Sequence, residues 1–168
     1  MKFINLLSLL LLTAVVLPAC QKNASTTLLH LQLTDGPASY EEVNIDVQEV
    51  HLKLEGDSAS WISLPTNKGI YNLLELQNGI DTLVAEAIVP QGRVKEIRLT
   101  LGHENSIKEG GEWYPLTIPS GSESGLKIKL DKQLTAPLDS IIIDFDAALS
   151  IHQESGGYKL RPVIKWVQ

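Results

Sequence analysis

The chain has 168 residues, 43% of them hydrophobic and 5% aromatic, with 14 basic against 20 acidic side chains and a formal net charge of −6. An acidic chain with no Lys/Arg cluster argues against nucleic acid as a partner, and its single cysteine, Cys20, excludes an internal disulfide. At this length one domain is expected, held together by packing alone.

Residues 1–19 read as an export signal. Met1 and Lys2 give a short positive start, and Phe3 to Leu17 is a 15-residue run of apolar and small residues without a charge. That run is shorter than the roughly 20 residues a spanning helix needs, and Pro18 with the polar residues after Cys20 ends it abruptly. An uncleaved N-terminal anchor is the alternative. The stretch "LPAC", Leu17 to Cys20, resembles a bacterial lipobox. The resemblance implies diacylglyceryl transfer to the Cys20 sulfur, cleavage between Ala19 and Cys20, and acylation, typically with palmitate, of the new amino group. Such chemistry needs a thiolate, and several acyl chains hold a protein stably where one holds it marginally. The expected partner of Cys20 is therefore a membrane. Gln21 is not the aspartate associated with inner-membrane retention, and "QKN" lacks an acidic run, so the expectation is the outer membrane of a Gram-negative envelope, on its periplasmic face with the cell surface as the alternative. The domain division is signal 1–19, lipidated tether 20–27, and folded domain 28–168.

After the tether the apolar residues recur with a period of two, the signature of strands with one buried face. "LLHLQL" places Leu29, Leu31 and Leu33 on one face. In "VNIDVQEVHLKL", Val43, Ile45 and Val47 alternate on odd numbers, then Val50, Leu52 and Leu54 on even ones. A phase change needs an extra residue, so a β-bulge is predicted at Gln48-Glu49. Trp61 to Leu64 and Ile70 to Leu74 read as short strands around the turn "PTNKG". In "GIDTLVAEAIVP" the period is unclear, and Asp81 is a candidate cap for one helical turn running to Ala87. Pro90 to Gly92 is a turn, leading into a strand with Ile97, Leu99 and Leu101 on one face. "SIKEGGEWYPLTI" predicts a hairpin tipped by Gly110-Gly111. "LKIKL" buries Leu126, Ile128 and Leu130 and exposes Lys127 and Lys129. "SIIIDFDAAL" and "YKLRPVIKW", joined by the turn "QESGG", read as a closing hairpin, with Pro162 at an edge or bulge. About ten short strands with turns at roughly 8–12-residue intervals predict an all-β chain, a single β-sandwich with at most one short helical turn.

Five separated stretches, "LTDGPASYEEVNIDVQEVHL", "YNLLELQNGI", "IVPQGRVKEIRLTLG", "YPLTIPSGSESGLKI" and "DFDAALSI…KLRPVIK", together resemble domain-of-unknown-function family 4382 of bacterial envelope lipoproteins. The similarity runs from about Leu29 to Val167. It implies a transthyretin-like or immunoglobulin-like sandwich and a lipoprotein signal, and it brings no activity.

Few constellations carry chemistry. Asp144 and Asp146 flank Phe145, so one strand would place both carboxylates on the face opposite Ile141, Ile143 and Phe145; they are the candidate ligand or Ca²⁺ residues, with hydrogen bonding at a strand end as the simpler role. Asp35 in "TDGP" reads as a turn residue. His30, His51, His103 and His152 have no partner at zinc-ligand spacing. Ser63, Ser120, Ser122 and Ser124 lack a nucleophile-elbow context, and no phosphate-binding glycine motif is present. No cofactor is implied. Trp61, Trp113 and Trp166 are candidates for stacking on sugar rings, against the alternative of packing on the core. The expected function is a non-enzymatic accessory or interaction module whose envelope protein or glycan partner is unnamed. The alternatives are a carbohydrate- or calcium-binding module and a fimbria-like assembly subunit. The last is disfavoured because the first strand starts within about ten residues of Cys20, which leaves no removable N-terminal strand.

Overall fold

The computed structural model describes residues 25–56, 61–119 and 125–167. Cys20, the cleavage site and Ser120, Ser122 and Ser124 lie outside the described residues. Thirteen strands, numbered in chain order, form two sheets. The smaller has β1 (Thr26–Thr34), β5 (Thr82–Pro90), β10 (Leu138–Phe145) and β13 (Ile164–Val167) in the order β13-β10-β1-β5. The larger runs β11 (Ile151–Glu154), β12 (Gly157–Leu160), β8 (Glu112–Thr117), β7 (Ser106–Glu109), β2 (Glu42–Leu54), β6 (Gly92–Leu101) and β9 (Leu126–Leu134). On the other edge of β2 lie β3 (Ile62–Leu64) and β4 (Gly69–Asn72). Both sheets are mixed: β1 runs parallel to β10, and β8 parallel to β12.

Alternation decides which faces meet. Leu29, Leu31 and Leu33 of β1 share a face with Ile141 and Ile143 of β10 and close against Val43, Ile45, Val47, Leu52, Ile97 and Leu99 of the larger sheet, each at most 1% exposed. Burying one such side chain fully contributes about 1.5–3 kcal/mol, so the β1 stripe is a principal source of stability. The all-β sandwich is as the sequence implies.

The bulge in β2 lies where the phase change puts it: Val47 pairs with Leu101, but Glu49 pairs with Thr100. At the β7–β8 tip, Gly110 and Gly111 both take positive φ, 62° and 82°, which suits the twist of a two-residue hairpin.

Three expectations are corrected. Asp81 caps no helix: the segment after it is β5, which pairs along β1, and Asp81 accepts a hydrogen bond from Gln32. Val84, Ala85 and Val89 are buried there, so tertiary pairing overrides the helix-forming "AEA". The helical turns are elsewhere, a 3-10 turn at Leu73–Leu76 capped by Asn72 and the short helix α1 (Ala147–Ser150) capped by Asp146. The last hairpin is also rearranged. "QESGG" joins β11 to β12 in the larger sheet, whereas β10 pairs with β13 in the smaller one. Helix α1 takes the chain out of the first sheet, and the break at Arg161–Val163, which contains Pro162, brings it back. Finally, β1 starts at Thr26, so the strand includes two residues assigned to the tether.

Candidate functional site

A half-open groove of about 940 Å³ lies where β6 leaves β2 and the β7–β8 hairpin takes its place. Its base is a polar knot around Asp46, which is 5% exposed although it sits on the outward phase of β2. The Asp46 carbonyl accepts from the Gly102 amide at 2.7 Å. The Asp46 amide donates to Asn105 Oδ1 at 2.9 Å, and Asp46 Oδ2 accepts from the Glu104 amide at 3.3 Å. Gln48 donates to the other carboxylate oxygen. Asn105, 3% exposed, donates in turn to the Gly102 carbonyl at 2.8 Å, and its own carbonyl accepts from Leu116 of β8 at 2.8 Å.

A buried carboxylate costs several kcal/mol unless its oxygens are satisfied. Here the "GHEN" loop supplies the partners, and folding over Asp46 in this way shapes the groove. His103 and Glu104 are thereby held exposed on the rim. Leu101, Pro115, Leu116 and Ile118 give apolar wall, while Thr100, Thr117, Gln48, Glu49 and Lys68 give hydroxyl, amide and charged contacts. The far wall is fixed from behind. Tyr158 of β12 donates to Glu109 of β7 and its ring stands 5.1 Å from that of Tyr114; the hydrogen bond to Glu109 pushes the Tyr158 hydroxyl up to about 12.

The residues singled out from the sequence lie elsewhere. Asp146 accepts from the Leu149 amide at 2.9 Å as the cap of α1, and Asp144 pairs with Lys165 of β13 at 3.0 Å. Among the described residues no group of three His, Cys, Asp or Glu side chains is placed to hold a metal ion. The indoles are dispersed. Trp61 is overlaid by Arg98 at 4.1 Å and Lys53 at 5.7 Å, Trp113 on β8 is 50% exposed with Lys108 at 5.7 Å, and Trp166 packs against the core. None of them lines the groove.

Asp35 is more than a turn residue. It is 5% exposed, accepts from the Ala147 amide at 2.8 Å, and is approached by Gln77 at 3.4 Å, while its amide donates to Leu76 at 3.0 Å. It therefore ties the end of β1 to the 3-10 turn and to α1. Burial pushes its carboxyl up to about 6, against the lowering effect of the Ala147 hydrogen bond.

Asp46, Gly102 and Asn105 were the residues that reading the sequence passed over. The available signal was an acidic residue inside a strongly patterned strand, beside the phase change, matched by a glycine that opens a polar loop directly after another strand. No curated protein and no solved structure matches the chain. A family model does: the one described as Domain of unknown function (DUF4382) matches residues 26–162, most of the chain and every strand but β13, and the chain belongs to that family.

Proposed function

We propose that this protein is a lipid-anchored component of the Gram-negative cell envelope, held at the outer membrane through Cys20, whose sandwich is a non-enzymatic binding module with the β2/β6–β7 groove as its site. The observation that carries the binding reading is the groove itself, a concavity of ligand size with a pre-ordered polar base, an aliphatic wall and charged groups on the rim. The non-enzymatic reading is supported by the state of Asp46: its carboxylate oxygens already accept from Gln48 and the Glu104 amide, which suits a structural acceptor better than a general base. The mixture of hydroxyls, amide and aliphatic wall fits a hydroxyl-bearing ligand such as a short oligosaccharide. The Asp144/Asp146 pair offers a cation less, because Asp144 Oδ2 is engaged by Lys165 and Asp146 Oδ1 by the first turn of α1, which leaves Asp144 Oδ1 as the one buried oxygen of the pair without a partner.

Two measurements test this reading. Labelled palmitate is expected to enter the wild-type protein in cells and to be absent from Cys20→Ala; label that persists in the variant overturns the anchor. The detergent-solubilised protein, titrated with soluble oligosaccharides to millimolar concentration, is expected to gain thermal stability, since a ligand at about 100 times its Kd adds about 2.7 kcal/mol. No shift with any glycan, or a shift that survives Gln48→Ala and Lys68→Ala together, removes the groove as their site.

A further inference from the structure

The sandwich has a distinct end where the tether enters. Ser25 accepts from the Gln91 amide at 2.8 Å, Thr26 pairs with Pro90, and the Gln91 side chain donates to Thr135 at 2.8 Å. The β5–β6 tip, the β9–β10 connection and the start of β1 thus lie together. On the outer face of the smaller sheet at this end, Ile88, Leu28 and Leu138 stand side by side in one cross-strand row. Ile88 is 73% exposed and Leu138 55%, with Leu28 half-buried between them. Pro90 and Pro137, both exposed, extend the apolar surface to the loops. Leaving such a row in water is unfavourable, and nothing in the described chain covers it.

We propose that this row is a membrane-contacting surface, seated in the interfacial layer of the bilayer into which the Cys20 lipid inserts; the proposal rests on the acylation reading above. One observation selects a lipid surface over a second copy of the chain. Five residue steps separate Cys20 from Ser25, a reach of at most about 17 Å even when fully extended, so this end of the domain is confined to the bilayer surface. The charge at this end does not oppose that placement. The chain as a whole is acidic, but here the carboxylates of Glu55, Asp131 and Asp139 are balanced by Arg93, Lys95 and Lys132 at 2.8–3.5 Å. On the outer face itself the carboxylate beside the row is Glu86, two residues from Ile88 and held by His30 at 2.8 Å, so the described residues around the row bring at most one unbalanced acidic charge toward the headgroups. An apolar face next to an acyl anchor gains by entering the headgroup boundary, to a depth of about 5–10 Å. The groove lies toward the other end of β6, roughly 30 Å from Gly92 at strand rise, and seating the row in lipid leaves it open.

The acylated full-length protein provides a direct test, because acylation blocks Cys20 and any cysteine introduced is then the one free thiol. Ile88→Cys, Leu138→Cys and, as a control far from the tether, Ile70→Cys are each labelled with nitrobenzoxadiazole and reconstituted in phosphatidylethanolamine/phosphatidylglycerol vesicles. The probes at 88 and 138 are expected to blue-shift and to be quenched by lipids spin-labelled near the headgroup several-fold more strongly than the probe at 70. Equal quenching at all three positions overturns the proposal. So does shielding of 88 and 138 without lipid quenching when copies of the chain cross-link through those positions, which makes the row a self-association face. Mass spectrometry of the same preparation reads the Cys20 modification separately. If Cys20 is unmodified, the acylation reading fails, and the Cys20→Ser chain with an N-terminal histidine tag, held on nickel-chelating vesicles, decides the surface by the same comparison.

Discussion

Gly102→Ala is expected to destabilise the domain by about 2–4 kcal/mol and to abolish ligand binding in the groove. A Cβ at Gly102 falls 1.9 Å from Asp46 Oδ2 and 2.6 Å from its Cγ, while the Gly102 amide is held by the Asp46 carbonyl at 2.7 Å. Backbone and carboxylate cannot both stay. Either the strand end pulls away from β2, or the Asp46 side chain is driven off the Glu104 amide and Gln48 and left buried without partners. Gly36→Ala is the matched control, since a Cβ there meets nothing within 4 Å; its effect is expected within about 0.5 kcal/mol. Thermal unfolding of the two variants reads the difference directly, at roughly 3 °C of Tm per kcal/mol for a domain of this size. Adding Asp46→Ala to Gly102→Ala is expected to recover part of the loss, because the Cβ then has room. If the two losses simply add, the clash is not the cause.

The second large effect is at Asp35, and it depends on pH. The folded-state value of about 6 lies above the ordinary 3.8, so the folded chain holds this proton more tightly than the unfolded chain does. The stabilisation is fully present below pH 3.8 and is lost as pH rises to about 6. At about 1.4 kcal/mol per unit, this one carboxyl is expected to remove on the order of 2 kcal/mol over that interval. Asp35→Asn keeps an acceptor for the Ala147 amide and carries no charge. Its stability is expected to lack this decline, so that above pH 7 it exceeds the wild type. Asp35→Ala leaves the Ala147 amide without its partner and is expected to fall about 1–3 kcal/mol below Asp35→Asn at every pH. Denaturant unfolding of the three proteins from pH 4 to 7.5 checks both statements. Parallel stability curves for wild type and Asp35→Asn would show that Asp35 does not titrate in this range.

What could be read from the sequence was what depends on near neighbours. The change of phase between Val47 and Val50 located the β2 bulge, because a strand buried on one face cannot shift its pattern without an extra residue. Gly110-Gly111 located a hairpin because few other pairs tolerate two positive φ values. The β5 segment was misread because Val84 and Ala85 are both buried beside the bulge at Leu31/Gln32, which erases the two-residue period. The destination of "QESGG" was hidden for a different reason: hairpin signals say which strands pair, not which sheet the pair joins. The candidate site was the least legible feature. Asp46 and the Glu104 amide meet across 58 positions, and neither residue type is unusual in its own segment. Asp144 and Asp146, conspicuous as a pair, contact Lys165 through Oδ2 and the first turn of α1 through Oδ1 respectively.

The central position of β1 also determines how the molecule bears load. For a chain held at Cys20, any pull on a bound partner enters the domain at Ser25 and runs along the axis of β1. That strand is paired over seven positions to β10 and over eight to β5, so its hydrogen bonds on both sides are sheared together and none can be peeled open singly. Its buried leucines would have to slide past Ile141 and Ile143 in the same movement. A tether attached to an edge strand such as β13 would unzip one bond at a time. A load entering through β1 would instead be resisted along the full length of the strand.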